Sequence, residues 1–227
     1  MKIILSIIVV VIVGALVFIG VKNGSLDDAD QNVTATSTDS MPVVLNDGEY
    51  KVNVENSNLV WFGSKELIVN YKDTGALKVK AGNFLVASST ITSGEVIFDM
   101  NSLMGTETSN TEVALDKLAV HLKSVDFFDV VKYPTAKIVI KNVTAGENDY
   151  IVTGDLTIKD VTNEISFPAK VSIDESAGVL FDGDVSFDRT KWNLKYGSGS
   201  FVDNLGDNVI SDQVTVNIHI VANSQQI

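Results

Sequence analysis

A chain of 227 residues with 45% hydrophobic and 20% charged side chains can build one sizeable core and is not globally disordered. Its net charge of −12 repels phosphate backbones and argues against nucleic-acid binding. The absence of cysteine excludes disulfides, thiolate metal sites, a cysteine nucleophile and a lipid-modified N-terminal cysteine.

The first element, Ile3 to Val21, is uncharged and almost wholly aliphatic, broken only by Ser6, Gly14 and Gly20. As a helix it would span about 28 Å, close to the ~30 Å hydrocarbon core of a bilayer. No small-residue cleavage pattern follows at Val21-Lys22-Asn23-Gly24, so residues 1–22 read as an uncleaved signal anchor, a single transmembrane helix. Lys2 precedes the span, while Lys22 is followed by Asp27, Asp28 and Asp30. The positive-inside tendency then puts the folded body outside the cytoplasm, in the periplasm or on the cell surface. Residues 23–46 are Asn-, Ser-, Thr- and Asp-rich and read as a flexible tether, reaching roughly 25–30 Å as a coil. Beyond residue 22 the chain carries 15 basic against 29 acidic side chains. Contact with the cytoplasmic membrane is therefore expected through residues 3–21 rather than by electrostatic adhesion.

From residue 48 the dominant period is two, the signature of half-buried strands. The clearest alternations are 150–158, 165–173, 179–187 and 214–220, with weaker copies at 50–54, 59–62, 77–81, 96–100 and 138–143. Asn46-Asp47-Gly48, the 145–149 stretch and Ser176-Ala177-Gly178 punctuate them as turns. Ser109 to Ser124 differs: Leu115, Leu118 and Leu122 recur at helical spacing, and Ser109 with Glu112 fits a capping box. About eight strands and one inserted helix over 47–224 predict an all-β antiparallel barrel or sandwich. Whether a barrel's interior is filled or hollow is not decided by periodicity.

Several segments together resemble the YceI-like, polyisoprenoid-binding periplasmic proteins. Ser57-Asn58-Leu59-Val60-Trp61-Phe62-Gly63-Ser64-Lys65 resembles that family's opening strand. Thr74-Gly75-Ala76-Leu77-Lys78-Val79 is similar to the next. His121-Leu122-Lys123-Ser124, Asp126-Phe127-Phe128-Asp129 and Lys132-Tyr133-Pro134-Thr135-Ala136 resemble its central signature. Gly154 to Thr162, Phe167-Pro168-Ala169, Asp188-Arg189-Thr190-Lys191-Trp192 and Tyr196-Gly197-Ser198-Gly199 complete it in order over roughly 48–222. The resemblance implies a lipocalin-like barrel whose elongated cavity takes an isoprenoid chain, a polyprenol or a quinone tail, in an extracytoplasmic setting. Two departures stand out. Tyr71-Lys72-Asp73-Thr74-Gly75 lacks a histidine that many relatives place before this glycine, and Asp160 replaces a turn glycine.

With that resemblance, the apolar strand face becomes the candidate ligand lining. It comprises Trp61, Phe98, Met100, Ile138, Ile140 and Leu156, and then Ile158, Phe167, Val171, Phe181, Val185 and Phe187. Each buried ligand methylene contributes about 0.8 kcal/mol, so affinity needs no polar code. Arg189, the only arginine, is a candidate for a lipid headgroup or for a strand-end ion pair. Trp192 and Tyr196 are candidates for the cavity mouth. His121 and His219 share no motif with a serine or carboxylate and read as solvated histidines, and no hydrolase, zinc-protease or Walker-type motif occurs. The 203–208 turn does not match an EF-hand loop.

The expected function is to carry or sequester an isoprenoid or other long-chain lipid, without catalysis, cofactor or metal. A homodimer is compatible with this role. The competing expectations are a filled-barrel scaffold or stress-response interaction module with no lipid ligand, and a lipid-modifying enzyme built on Arg189.

Overall fold

The computed structural model describes residues 43–225 apart from 148, 176 and 177; the expected span 3–21 and tether residues 23–42 lie outside it. Among the described residues no helix is long and apolar enough to cross a membrane. The order is β1 (Gly48–Val52), β2 (Asn58–Gly63), β3 (Asp73–Ala87), β4 (Thr90–Thr108), α1 (Leu115–Lys123), β5 (Thr135–Ala145), β6 (Tyr150–Ile158), β7 (Val161–Asp174), β8 (Gly178–Asp188) and β9 (Gln213–Ser224).

Every strand pair is antiparallel. The ladder runs β2–β9–β8–β7–β6–β5–β4–β3, and β3 pairs again with β2, so the ring of hydrogen bonds closes. Closure removes the unpaired edge that would template aggregation. β1 and β2 share one position in this ring, for both lie between β3 and β9, end to end. The break between them is stitched by Ser57, 4% exposed. Its hydroxyl donates to the Asn53 carbonyl (2.7 Å) and accepts the Val221 N–H (2.9 Å). Nine segments thus fill eight positions, which reconciles the observed count with the expected one.

Register follows from matching apolar faces. Val152 pairs with Phe167, Val171 with Phe181, Val185 with Val216 and Phe187 with Val214. A one-residue slip would turn each of these sets to solvent. The outer face carries cross-strand polar pairs instead, such as Thr157 with Thr162 (2.8 Å) and Lys141 with Asp155 (2.7 Å).

Two elements differ from the sequence reading. The stretches 77–81 and 96–100 are only the middle of β3 and β4, a hairpin of 15 and 19 residues. Four register shifts interrupt that pairing, and each offsets one strand against the other by an odd number of residues, which resets the alternation. The helix starts at Leu115, not near Ser109, and its N-cap Ala114 offers no side-chain bond. Ser109 is bound elsewhere: its hydroxyl accepts the Lys72 N–H (2.8 Å) and donates to the Lys72 carbonyl (3.0 Å). Glu112 N–H goes to the Asn110 side chain (3.1 Å). Tying the β4 exit to the β3 entrance takes precedence over capping, so the expected capping box does not form.

Antiparallel order sorts the connections to two ends. One end holds residues 64–72, 109–134, 159–160 and 189–212; the other holds Ser88-Ser89, 146–147, Asp149 and Glu175. The second end is closed by packing. Phe84 and Phe181 stack with centroids 5.0 Å apart, among buried Tyr50, Val86, Ile91 and Val179. Residues 43–46, expected in the tether, belong to this packing. Leu45 is buried, the Asn46 carbonyl accepts the Tyr50 hydroxyl (3.0 Å), and the Val43 carbonyl accepts the Tyr150 hydroxyl (3.3 Å).

Candidate ligand cavity

Inward side chains of unequal size leave space toward the long connections. The space is a cavity of about 580 Å³, within the ~300–1,000 Å³ usual for small-ligand sites. Its walls are apolar. Of the residues singled out from sequence, Trp61, Phe98, Met100, Ile138, Leu156, Ile158, Val185 and Phe187 line it. Ile140, Phe167, Val171 and Phe181 do not; with Phe98 and Ile138 they surround a separate space of about 60 Å³ toward the closed end. The interior is therefore hollow in the half nearer the long connections and nearly filled in the other.

The rest of the wall comes from residues the sequence reading left out. Leu59, Leu77, Val214, Val216 and Ile218 sit on the inward face of β2, β3 and β9, where strand parity alone would have placed them. Leu118 and Leu122 of α1 and Phe127 and Phe128 after it form the roof. The signal for them was the helical spacing of the leucines, which marks a helix but not the cavity that the helix covers.

Trp61 lies flat over Gly75. A Cβ on Gly75 would come within 1.9 Å of the Met104 carbonyl and 2.3 Å of the indole, so only glycine allows this stacking. The Trp61 Nε1–H is buried and has no partner in the protein. A donor left in that state costs about 1–3 kcal/mol.

Arg189 borders the cavity but is 2% exposed. Its Nε donates to the Ser211 carbonyl (2.9 Å), Nη2 to the Ile210 carbonyl (3.1 Å), and Nη1 to the Leu194 carbonyl. Asp212 lies 3.4 Å from Nη2. Burial pushes the guanidinium below its ordinary pKa, opposed by Asp212 and Asp188. Three of its five N–H donors go to the backbone of the 189–212 connection, so Arg189 clamps that connection. The 3₁₀ turn Arg189–Trp192 that holds it starts at Asp188, whose carboxylate accepts the Thr190 N–H (2.9 Å) and hydroxyl (2.6 Å). These bonds hold the Asp188 pKa below the carboxylate range.

Trp192 is not at the mouth. It is 1% exposed, donates to the Leu156 carbonyl (2.9 Å) and packs edge-on behind Phe187 (5.0 Å), so it backs the wall. Tyr196 is at the mouth, 46% exposed. It contacts His121 (4.7 Å) and Phe127 (5.2 Å), and His121 in turn contacts Phe127 (5.1 Å). His121 is thus half-buried in an aromatic cluster lining the cavity, rather than the solvated side chain expected. His219 lies on the outer face beside Asp182 (2.6 Å).

Opposite, the segment that lacks the expected histidine supplies polar groups. Asp73 accepts the Thr108 hydroxyl (2.6 Å) and the Tyr71 hydroxyl (3.3 Å), and all three line the mouth. Burial, then Asp73, pushes the Tyr71 hydroxyl above its ordinary pKa. Among the described residues no cluster of His, Cys, Asp and Glu suits a metal ion.

Residues 50–222 match the YceI-like domain model. A UPF0312 protein of Pseudomonas putida is 50% identical over 50 residues, which is 22% of this chain and 26% of that protein, so the match spans about a quarter of its length. The crystal structure of Burkholderia cenocepacia BcnA covers 76% of this chain and 99% of its own, at 25% identity and a TM-score of 0.55. A polyisoprenoid binding domain from Saccharophagus degradans, implicated in plant cell wall breakdown, covers 78% and 98%, at 16% identity and a TM-score of 0.54, a likeness of fold.

Proposed function

Because the chain belongs to the YceI-like domain family, we propose that it binds one isoprenoid lipid, a polyprenol or a quinone-type molecule, and carries or sequesters it at the extracytoplasmic face of the membrane. The observation that carries this reading is the apolar cavity of about 580 Å³, open at one end and closed at the other by Phe84 and Phe181. A blind apolar hole suits a chain that enters tail first and leaves its polar group among Tyr71, Asp73, His121 and Tyr196. About 0.8 kcal/mol per buried methylene provides affinity, less the cost of ordering the chain. The shared fold of the Saccharophagus degradans polyisoprenoid binding domain supports the same reading. The apolar run 3–21 supports the location, since a water-insoluble cargo is exchanged most readily beside a bilayer.

The test is chemical. The protein is purified, extracted with organic solvent, and its lipids are identified by mass spectrometry. A prenyl-chain lipid is expected in the extract, or taken up when added. Repeated recovery of none, with no uptake of added polyprenol or quinone, would remove the carrier role.

A further inference from the structure

The two ends of the sheet differ in charge as well as in shape. The four connections around the cavity mouth, 64–72, 109–134, 159–160 and 189–212, carry nine basic and nine acidic side chains. Residues 43–227 as a whole carry 15 against 25, so the entire excess of negative charge lies on the strands and the closed end. The neutral end is also where exposed apolar side chains gather: Leu67, Val69, Val120, Val125, Val131 and Phe201, with Val69 at 86% and Val131 at 93% exposure. Lysines accompany them. Lys195 Nζ lies 4.4 Å from the Phe201 ring centre, Lys132 4.9 Å from Tyr133 and Lys72 5.0 Å from Phe62. Apolar tips flanked by lysines, whose stems lie along apolar surface while their charge stays wet, are the chemistry of a membrane interface.

We infer that this end is a second membrane contact: the protein docks mouth-down on a phospholipid surface, inserting the tips of the 64–72, 109–134 and 189–212 connections around the opening. An anionic bilayer repels the acidic strands and closed end but not the neutral mouth, so charge orients the approach and apolar insertion holds it. Chain length allows it. Val43 joins at the closed end, and residues 23–42 reach at most about 70 Å, against about 35 Å for the 11 residues of β8. Mouth-down docking also lets a prenyl chain pass from bilayer to cavity without crossing water, which rests on the carrier reading; the docking itself does not.

The chain has no cysteine, so single labels are clean. Val69→Cys, Val131→Cys and, at the closed end, Ser89→Cys are each labelled with a fluorophore in the full chain. The chain is then mixed with phosphatidylethanolamine–phosphatidylglycerol vesicles. Labels at 69 and 131 are expected to be quenched by acyl-chain nitroxides and shielded from aqueous iodide, with the label at 89 behaving oppositely. Iodide access at 69 and 131, quenching at 89 instead, or shielding that appears without vesicles as protein concentration rises (a second copy) would each overturn the proposal. Val69→Asp with Val131→Asp is expected to slow lipid uptake from vesicles about tenfold or more. Uptake from detergent micelles should be unchanged. Acyl-chain quenching in a protein that takes up no lipid would uphold the docking and remove the carrier reading; uptake without quenching would do the reverse.

Discussion

At the level of single residues, Trp61 joins an apolar ring in the cavity wall to a buried N–H that no protein group accepts. Trp61 was legible as an inward aromatic, but its buried, unpartnered Nε1–H depends on contact with Gly75, which no spacing announces. On the proposed carrier reading, that donor suits an oxygen on the ligand. Trp61→Phe is expected to weaken binding of a polyprenol or quinone about three- to tenfold, the value of one net hydrogen bond. A hydrocarbon such as squalene should bind the variant as well as it binds the native protein, and titration of both ligands against both proteins checks the difference. Arg189 shows the opposite case. A lone arginine in an acidic chain fitted either a headgroup or a strand-end ion pair; its bonds to Ser211, Leu194 and Ile210, with Asp212 at 3.4 Å, make it a clamp. Arg189→Met would strand three carbonyls and Asp212, and is expected to cost about 3–5 kcal/mol of stability in urea unfolding. An Arg189→Met protein of native stability with poor lipid binding would reinstate the headgroup role.

Among the elements, those with unbroken alternation were legible and those with bulges were not. β6, β7 and β8 were read close to their bounds because their inward residues keep strict parity. β3 and β4 hid most of their length because four register shifts reset parity within the pair. The helix was legible from its leucines, and its start was not, since a Ser-x-x-Glu pattern cannot show that the serine is held by Lys72. The uncapped start offers a test. Ala114 has φ −69° and ψ 141°, the extended backbone of an N-cap. Ala114→Asp is expected to raise stability by about 0.5–1 kcal/mol, seen as a higher midpoint of thermal unfolding. The 3₁₀ turn after β8 has the cap that α1 lacks, and its ionisation sets a pH dependence. Asp188 has a lowered pKa in the folded state, so its stabilisation is present above the unfolded value near 4 and is lost as pH falls through the folded one. Asp188→Ala should therefore cost about 1 kcal/mol at neutral pH. That difference should shrink toward zero in strongly acid solution, as paired denaturation curves would show.

For the molecule as a whole, closure of the sheet and the presence of a hollow rest on different information. Strand count and alternation left a barrel and a sandwich both open, and the closed ladder agrees with the barrel that the family resemblance implied. The hollow depends on which inward side chains meet across the sheet, and parity says nothing about that: Phe181 fills the closed end against Phe84, while Val185, two positions on along the same face, leaves the cavity open. This makes Val185 the place to separate fold from function. It is 3% exposed, pairs with Val216, and borders the open space on the side away from the rim. A larger ring there projects into a void rather than into packed neighbours, so Val185→Phe should keep the native fold at little or no cost in stability. A ligand that binds only the folded state adds about 2.7 kcal/mol at a concentration one hundred times its Kd. For a domain of this size that is a rise of roughly 5–10 °C in Tm. The native protein should show this rise with a saturating polyprenol, and Val185→Phe should show none while unfolding at the same temperature when empty. Equal rises in both proteins would mean that the lipid sits outside the cavity, and calorimetry with and without lipid decides it.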